Sequence, residues 1–289
     1  MRQLFILLSA LIIGMPGSLH AQDQYLTLGD VTLRYEVAGS GPAVVLLHGW
    51  AVSLESWHYL FPALSDGYTV IRYDRRGFGK SGGSADVSLD PIDLRNLLDT
   101  LEIDRAVVIG HSQGSASALR FALAFPERLN GLVLFGGGPP QGFGLPFNGA
   151  DAIPVKLLAE TAREQGLDSM WALLDGHPMM NGFVEGSEGF EIATAMFGAY
   201  EGGDLLHPEP SANATPPPDV GRLSEIVVPT LVITGAMEMP YFQIVSDAVA
   251  YGIANAQRVV VPGGGHVVML QQPDRFNSEI KDFLSAVYR

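Results

Sequence analysis

The chain has 289 residues, 47% of them hydrophobic and 17% charged, so it is long enough and apolar enough to fold around a sizeable core. Its net charge is −14 and it has no basic run, which argues against nucleic acid or an anionic membrane surface as a partner. It has no cysteine, which excludes disulfides, thiol nucleophiles and cysteine-based zinc sites.

The first 21 residues are typical of a signal peptide. Arg2 supplies a positive charge, an apolar stretch runs from Leu4 to Met15, and the small residue Ala21 ends the segment. We expect cleavage after Ala21 and an exported protein, periplasmic or secreted. Because about 20 apolar residues are needed to cross a bilayer, a stable membrane anchor is the weaker interpretation. An uncleaved interfacial helix is the other alternative.

The next segments alternate between predicted strands and helices. Residues 25–37 carry alternating apolar side chains around a Gly-Asp turn, which predicts an opening antiparallel hairpin. Short apolar runs, typical of strands buried on both faces of a parallel sheet, follow at Ala43–Leu47, Tyr68–Tyr73, Arg105–Ile109, Gly131–Phe135, Thr230–Thr234 and Gln257–Val261. Helices are predicted near residues 54–64, 89–101, 113–125, 240–251 and 273–287. This order predicts an α/β fold with a mostly parallel central sheet and helices on both faces.

The interval between Phe135 and Thr230 contains no convincing buried strand. Apolar residues recur at helical spacing over Ile153–Leu174, Glu191–Tyr200 is a second helix candidate, and five prolines within 207–218 indicate a linker. A structureless loop of this length is improbable in a compact domain, so we expect an inserted helical cap. The predicted organisation is a signal peptide at 1–21, a first core part at 22–138, a cap at 139–222 and a second core part at 223–289.

The segment Gly110-His111-Ser112-Gln113-Gly114 lies between a predicted strand and a predicted helix, which indicates a nucleophile elbow. In such a turn the serine adopts a positive φ, and side chains at the two glycine positions would collide with neighbouring backbone. Ser112 is therefore the predicted nucleophile. The backbone N–H of Gln113, at the start of the helix, is a predicted oxyanion donor. His111 is expected to point away from the serine.

Two further residues complete a predicted catalytic triad. His266 closes a glycine-rich loop after the last predicted strand and is the expected base, because a serine hydroxyl needs one nearby. Glu238 follows the strand at 230–234 and is the expected acid that orients the imidazole. Asp247, in the next helix, is the rival acid.

The turn after the strand Ala43–Leu47 contributes to the same predicted site. The backbone N–H of Trp50 is the predicted second oxyanion donor, and its indole is expected to line the pocket. His48 is expected to be a packed, hydrogen-bonded histidine that shapes this turn. The charges of residues 74–81 are interpreted as a structural ion-pair and turn element without a catalytic role.

These motifs resemble cap-bearing α/β hydrolases, the family that includes enol-lactonases, cofactor-free haloperoxidase-type esterases and ring-cleavage-product hydrolases. The resemblance extends from about Gln24 to Arg289 and is carried by HGW at 48–50, DRRGFGKS at 74–81, GHSQG at 110–114, PTLVITGAME at 229–238, GGGH at 263–266 and QPDRF at 272–276. The chain departs from the family at two places. The triad acid is more often aspartate, and the position of Ala51 often holds proline.

The expected reaction is hydrolysis of a small-molecule ester or lactone through an acyl-enzyme on Ser112. Hydrolysis of a carbon–carbon bond on the same triad is the alternative, and a non-catalytic binding protein of this fold is a remoter one. Dehalogenase and epoxide-hydrolase chemistry would need a carboxylate nucleophile. No cofactor and no metal are expected, since the seven histidines show no ligand pairing. The cap is expected to determine the substrate, and its large apolar side chains are either cap core or pocket wall: Met170, Trp171, Met179, Met180, Phe183, Met196 and Phe197.

Overall fold

A computed structural model of the chain describes residues 22–29, 31–144, 153–207 and 219–289. The predicted signal peptide at 1–21 and residues 208–218 of the predicted linker lie outside this range.

The described strands form one sheet in the order β1-β2-β4-β3-β5-β6-β7-β8. They are β1 (Gln24–Leu28), β2 (Val31–Ala38), β3 (Ala43–Leu47), β4 (Thr69–Tyr73), β5 (Ala106–His111), β6 (Leu129–Phe135), β7 (Thr230–Gly235) and β8 (Ala256–Val261). β2 pairs antiparallel with β1 and with β4, and all other neighbours pair in parallel. The predicted hairpin and the mostly parallel sheet are therefore confirmed.

Helices cover both faces of this sheet. In chain order they are α1 (Leu60–Leu64), α2 (Asp90–Thr100), α3 (Gln113–Ala124), α4 (Val155–Gln165), α5 (Leu167–Ala172), α6 (Glu188–Gly198), α7 (Gly203–Leu206), α8 (Pro240–Gly252), α9 (Val268–Gln271) and α10 (Pro273–Val287). α1 and α10 pack on one face of the sheet, and α2, α3 and α8 pack on the other. Strands covered on both sides are buried throughout, which explains their continuous apolar sequences. The two edge strands are exceptions: β1 has no buried residue, and only Val261 is buried in β8.

Two predicted helices are interrupted in the structure. Residues 54–64 form a 3₁₀ turn (Leu54–Trp57) and then the short helix α1. A continuous helix is disfavoured here because Pro62 has no N–H to donate and its ring would clash with the carbonyl of His58. The predicted helix at 153–174 divides into α4 and α5 at Gly166, whose φ of 89° is incompatible with a right-handed helix.

The helices α4 to α7 lie between β6 and β7 in the chain and form the insertion. Met196 of α6 belongs to a cluster of the main core, whereas residues of α4, α5 and α7 share a hydrophobic cluster that contains Leu158, Met170 and Leu205. Met239 and Phe242, which follow β7 in the core, belong to the same cluster. The insertion is thereby packed against the carboxyl ends of the strands. Within the described residues, no helix combines the length and the apolar character needed to cross a bilayer.

Candidate active site

The carboxyl ends of β3 and β5 meet at the centre of the sheet, where the strand order changes direction. β3 and β5 are hydrogen-bonded neighbours, while the strands that follow them in sequence lie on opposite sides. Such a switch point opens a crevice beyond the strand ends, where ligands of open α/β sheets bind. Trp50 follows β3 and Ser112 follows β5, so both face this crevice.

Ser112 lies in a sharp turn between β5 and α3, with φ 50° and ψ −117°. The turn requires the two flanking glycines. A Cβ on Gly110 would lie 2.4 Å from the carbonyl oxygen of Gly114, and a Cβ on Gly114 would lie 2.3 Å from that of His48. The close contacts hold Ser112 at the carboxyl end of β5 and start α3 at the next residue, as the sequence predicts.

The structure brings Ser112, His266 and Glu238 together in one hydrogen-bonded relay. His266 Nδ1 lies 2.8 Å from Glu238 Oε2, and His266 Nε2 lies 3.0 Å from Ser112 Oγ. Because a carboxylate only accepts, Nδ1–H donates to Glu238, which leaves Nε2 to accept the Ser112 hydroxyl proton. The second oxygen of Glu238 accepts the backbone N–H of Met239 at 2.8 Å. Glu238 and His266 are both buried, so this arrangement is shielded from water.

Asp247, the rival acid, is not part of this relay. Its carboxylate is exposed and pairs with Arg258 at 2.9 Å on the surface of the molecule. The loop after β7 therefore places Glu238 beside His266, and the helix that follows places Asp247 in solvent.

His111 supports the histidine loop, a contact that the sequence did not reveal. Its Nε2–H donates to the carbonyl oxygen of His266 at 2.9 Å, and its ring stacks on Phe135 at a centroid distance of 5.0 Å. Burial and the nearby His266 lower the pKa of His111 well below its usual value, so it is neutral. The His111 side chain therefore holds the backbone of the loop that carries His266.

The two predicted oxyanion donors lie in turns that share one buried side chain, that of Arg75. Its Nη2 donates to Gln113 Oε1 and to the carbonyl oxygen of Gly49, the latter at 3.4 Å. Its Nη1 forms an ion pair with Asp90 at 2.8 Å. Since the first N–H groups of a helix have no partner within it, the N–H of Gln113 remains available at the start of α3. Arg75 therefore connects the turn that carries Trp50 to the turn that carries Ser112.

His48 stabilises the turn that carries Trp50 through two hydrogen bonds. Its Nδ1–H donates to the Gly49 carbonyl at 2.8 Å, and its Nε2 accepts the backbone N–H of Arg75 at 2.9 Å. Complete burial and the charge of Arg75 lower the pKa of His48 well below its usual value, which keeps the ring neutral and its two hydrogen bonds intact.

Asp74 organises the charged turn that follows β4. Its carboxylate is buried and accepts the backbone N–H groups of Leu54 at 2.7 Å and Lys80 at 2.8 Å. Arg34 donates to it at 3.2 Å. Burial raises the pKa of Asp74. These contacts hold loops together and place no group of this turn beside the serine hydroxyl.

A cavity of about 580 Å³ lies between the triad and the insertion. Ser112 and His266 line it, and the insertion contributes a mainly apolar wall: Ile153, Val155, Leu158, Trp171, Met179, Met180, Phe197 and Leu205. Four of the predicted cap residues are thus pocket wall. Met170 and Met196 are buried in hydrophobic clusters instead, and Phe183 packs against one of them.

Two charged side chains also line the cavity, Arg120 from α3 and Asp204 from α7. Arg120 pairs with the buried Asp219 at 3.1 Å. The described residues contain no group of three or more histidine, aspartate or glutamate side chains that could hold a metal ion.

Comparison with known proteins gives these features a family context. A model of the alpha/beta hydrolase family matches residues 44–279. The chain is 33% identical over 277 residues to the 2-hydroxy-6-oxononadienedioate/2-hydroxy-6-oxononatrienedioate hydrolase of Paraburkholderia xenovorans, covering 89% of this chain and 92% of the relative. It is also 33% identical over 271 residues to a second such hydrolase, from Pseudomonas putida, covering 88% of this chain and 92% of that one.

Solved structures share the fold over nearly the whole chain. A bromoperoxidase from Bacillus anthracis is 26% identical with a TM-score of 0.76, covering 91% of this chain and 100% of that one. A thermophilic esterase from Thermogutta terrifontis is 25% identical with a TM-score of 0.75, covering 93% of this chain and 100% of that one.

Proposed function

We propose that this chain, which belongs to the α/β hydrolase family and is a hydrolase, uses Ser112 as the nucleophile that attacks a substrate carbonyl. The observation that carries the proposal is the relay from Ser112 Oγ through His266 to Glu238, with distances of 3.0 and 2.8 Å, at the wall of an apolar cavity. A hydroxyl is a weak nucleophile near neutral pH, and a neutral imidazole within hydrogen-bond distance is the group that activates it.

In the proposed first step, Ser112 Oγ bonds to the carbonyl carbon while its proton moves to His266 Nε2. The Glu238 carboxylate stabilises the imidazolium and fixes its orientation. The negative charge that develops on the carbonyl oxygen is received by the N–H groups of Trp50 and Gln113. Collapse of this adduct breaks the bond to the leaving group, which takes the proton from His266. Water, deprotonated by His266, then releases the acid and regenerates Ser112.

For the bond that breaks, the sequence relatives favour a carbon–carbon bond over an ester. Several of them are named as hydrolases of 2-hydroxy-6-oxononadienedioate, and they match about nine-tenths of this chain. In this version of the reaction the leaving group is a carbanion. It has to be delocalised into an adjacent unsaturated system and protonated as it departs, so the leaving-group side of the cavity must supply polar support.

The cavity itself favours an ester or lactone, the second candidate. An alkoxide leaving group needs only the proton held by His266. The one cationic side chain that lines the cavity within the described residues, Arg120, is already paired with Asp219. The wall that the insertion contributes is mainly apolar, so it can make hydrophobic contacts with a neutral substrate.

One assay separates the two bond classes. The purified enzyme is given 4-nitrophenyl esters of graded chain length, a set of lactones, and 2-hydroxy-6-oxononadienedioate, with Ser112→Ala as the control for each. Turnover of the dienedioate that exceeds that of every ester supports carbon–carbon cleavage. The reverse order supports the ester or lactone function. If the Ser112→Ala variant still turned over all of these compounds, the assignment of Ser112 as the nucleophile would be refuted.

A further inference from the structure

Asp204 presents a carboxylate to the cavity from the short helix α7 of the insertion. Its Oδ2 accepts the indole Nε1–H of Trp50 at 2.8 Å, and its Oδ1 accepts the hydroxyl of Tyr200. Each oxygen of Asp204 therefore accepts a hydrogen bond from an uncharged side chain. Burial and the neighbouring carboxylate raise the pKa of Tyr200, which keeps it a neutral donor.

Asp204 forms no ion pair with a lysine, arginine or histidine within the part of the chain that the structure describes. Arg120, by contrast, which also lines the cavity, pairs through its Nε with Asp219 at 3.1 Å. The two segments of the insertion that the structure does not describe, 145–152 and 208–218, contain no lysine, arginine or histidine in the sequence. Among the described charged side chains that line the cavity outside the triad, Asp204 is therefore the one without an ion-pair partner.

The insertion also contributes no lysine or arginine side chain to the lining of this cavity. Between Arg128 and Arg222 the sequence holds only two basic residues other than histidine, Lys156 and Arg163. Lys156 is exposed and pairs with Glu160, and Arg163 donates to the carbonyl of Leu205 at 2.9 Å. Neither lines the cavity.

We propose that Asp204 is a specificity-determining residue that excludes anionic substrates from this cavity and selects neutral ones. The inference rests on the proposed function of the same site. Like charges that share a poorly hydrated cavity repel each other more strongly than in water, and the penalty corresponds to a factor on the order of 10 or more in binding. A dioate, such as the compound in the relatives' names, carries two charges that this wall opposes.

The first test compares two esters of equal length, methyl 4-nitrophenyl adipate and the anionic mono-4-nitrophenyl adipate. The wild type is expected to prefer the neutral ester in kcat/KM by on the order of 10-fold or more. Asp204→Asn keeps an acceptor for Trp50 and should reduce this preference about tenfold. The matched control is Glu201→Gln, which removes the same charge from an exposed residue three positions away and should leave the preference unchanged.

The second test measures binding without catalysis. In a Ser112→Ala background, quenching of Trp50 and Trp171, which line the cavity, reports the binding of 4-phenylbutanamide and 4-phenylbutanoate. The amide should bind more tightly, and Asp204→Asn should remove the difference. If the ratio of the Kd of 4-phenylbutanoate to that of 4-phenylbutanamide is the same in the Asp204→Asn variant, the proposed exclusion of anions by Asp204 is overturned, even if every ester is hydrolysed. If the amide binds more tightly in an Asp204-dependent way but the protein with Ser112 hydrolyses none of the compounds, the proposed function is refuted and the exclusion of anions by Asp204 is supported.

Discussion

The guanidinium of Arg75 donates to the side-chain oxygen of Gln113, the residue that follows the proposed nucleophile, and the same Nη2 lies 3.4 Å from the carbonyl oxygen of Gly49. The two proposed oxyanion donors come from turns 63 positions apart in numbering (50 and 113), so their separation depends on a side chain that contacts both. A buried ion pair with Asp90 holds that side chain in place.

Replacing Arg75 should therefore lower the stability of the protein. Arg75→Met leaves Asp90 as an uncompensated buried charge, and the free energy of unfolding is expected to fall by about 3–5 kcal/mol, measured by urea denaturation. Lys156→Met, at an exposed i,i+4 pair, is the control and should change stability by less than about 0.5 kcal/mol. Equal effects of the two substitutions would contradict the role given to Arg75.

Ser112→Ala should abolish hydrolysis and leave the fold intact, because alanine fits the turn nearly as well as serine does. His266→Gln should be almost as damaging, and the double variant should be no slower than Ser112→Ala, since the two residues act as one unit. Initial rates and labelling by a fluorophosphonate probe measure both effects. Activity within tenfold of wild type in Ser112→Ala would disprove the mechanism, and a protein that the probe fails to label would fit a non-catalytic binding protein.

Glu238→Gln should lower kcat by on the order of 10²–10⁴, because an amide favours the wrong imidazole tautomer. Glu238→Asp should lose less: the carboxylate is kept, although it is one methylene shorter. Asp247→Asn is the matched control, since its carboxylate only pairs with Arg258 at the surface. A crippled Asp247→Asn beside a normal Glu238→Gln would reassign the acid.

Ala51, buried and next to Trp50, has a φ of 58°, a conformation that suits glycine better than alanine. Ala51→Gly is expected to stabilise the protein by up to about 1 kcal/mol. Glycine removes the steric strain of the Cβ at positive φ, and the greater conformational entropy of the unfolded chain offsets part of this gain. Ala51→Pro should destabilise it by about 3 kcal/mol or more, since proline requires a φ near −65°. Urea unfolding of both variants decides. A tolerated proline would show that the turn has a different conformation in solution.

Expressed with its leader in a bacterium, the protein should be exported and begin at Gln22. Intact-mass measurement of the exported fraction tests this expectation. A mass that retains residues 1–21 would favour a membrane-associated helix over a cleaved signal peptide.

The elements that the sequence predicted well are those determined by local rules. The glycines around Ser112 and the buried strand before them define the elbow, and Glu238 was predicted as the acid because it lies in the loop after the strand at 230–234. The contacts of Asp204 with Trp50 depend instead on how the insertion packs, across 154 positions of sequence. The positive φ of Ala51 was hidden for another reason: alanine carries no signal for that conformation. The bond specificity depends on the whole cavity wall, which no single segment encodes.

Ser112, Ala116 and Arg120 all line the cavity, and they follow one another at four-residue intervals along α3 and its first turn. At 1.5 Å per residue this row extends about 12 Å from the proposed nucleophile. The row therefore sets the length of substrate that can lie along the helix. Ala116 marks the midpoint with the smallest side chain that a chiral residue can have. A larger residue there would halve the usable length, and selectivity for long against short substrates would change without any alteration of the reacting groups.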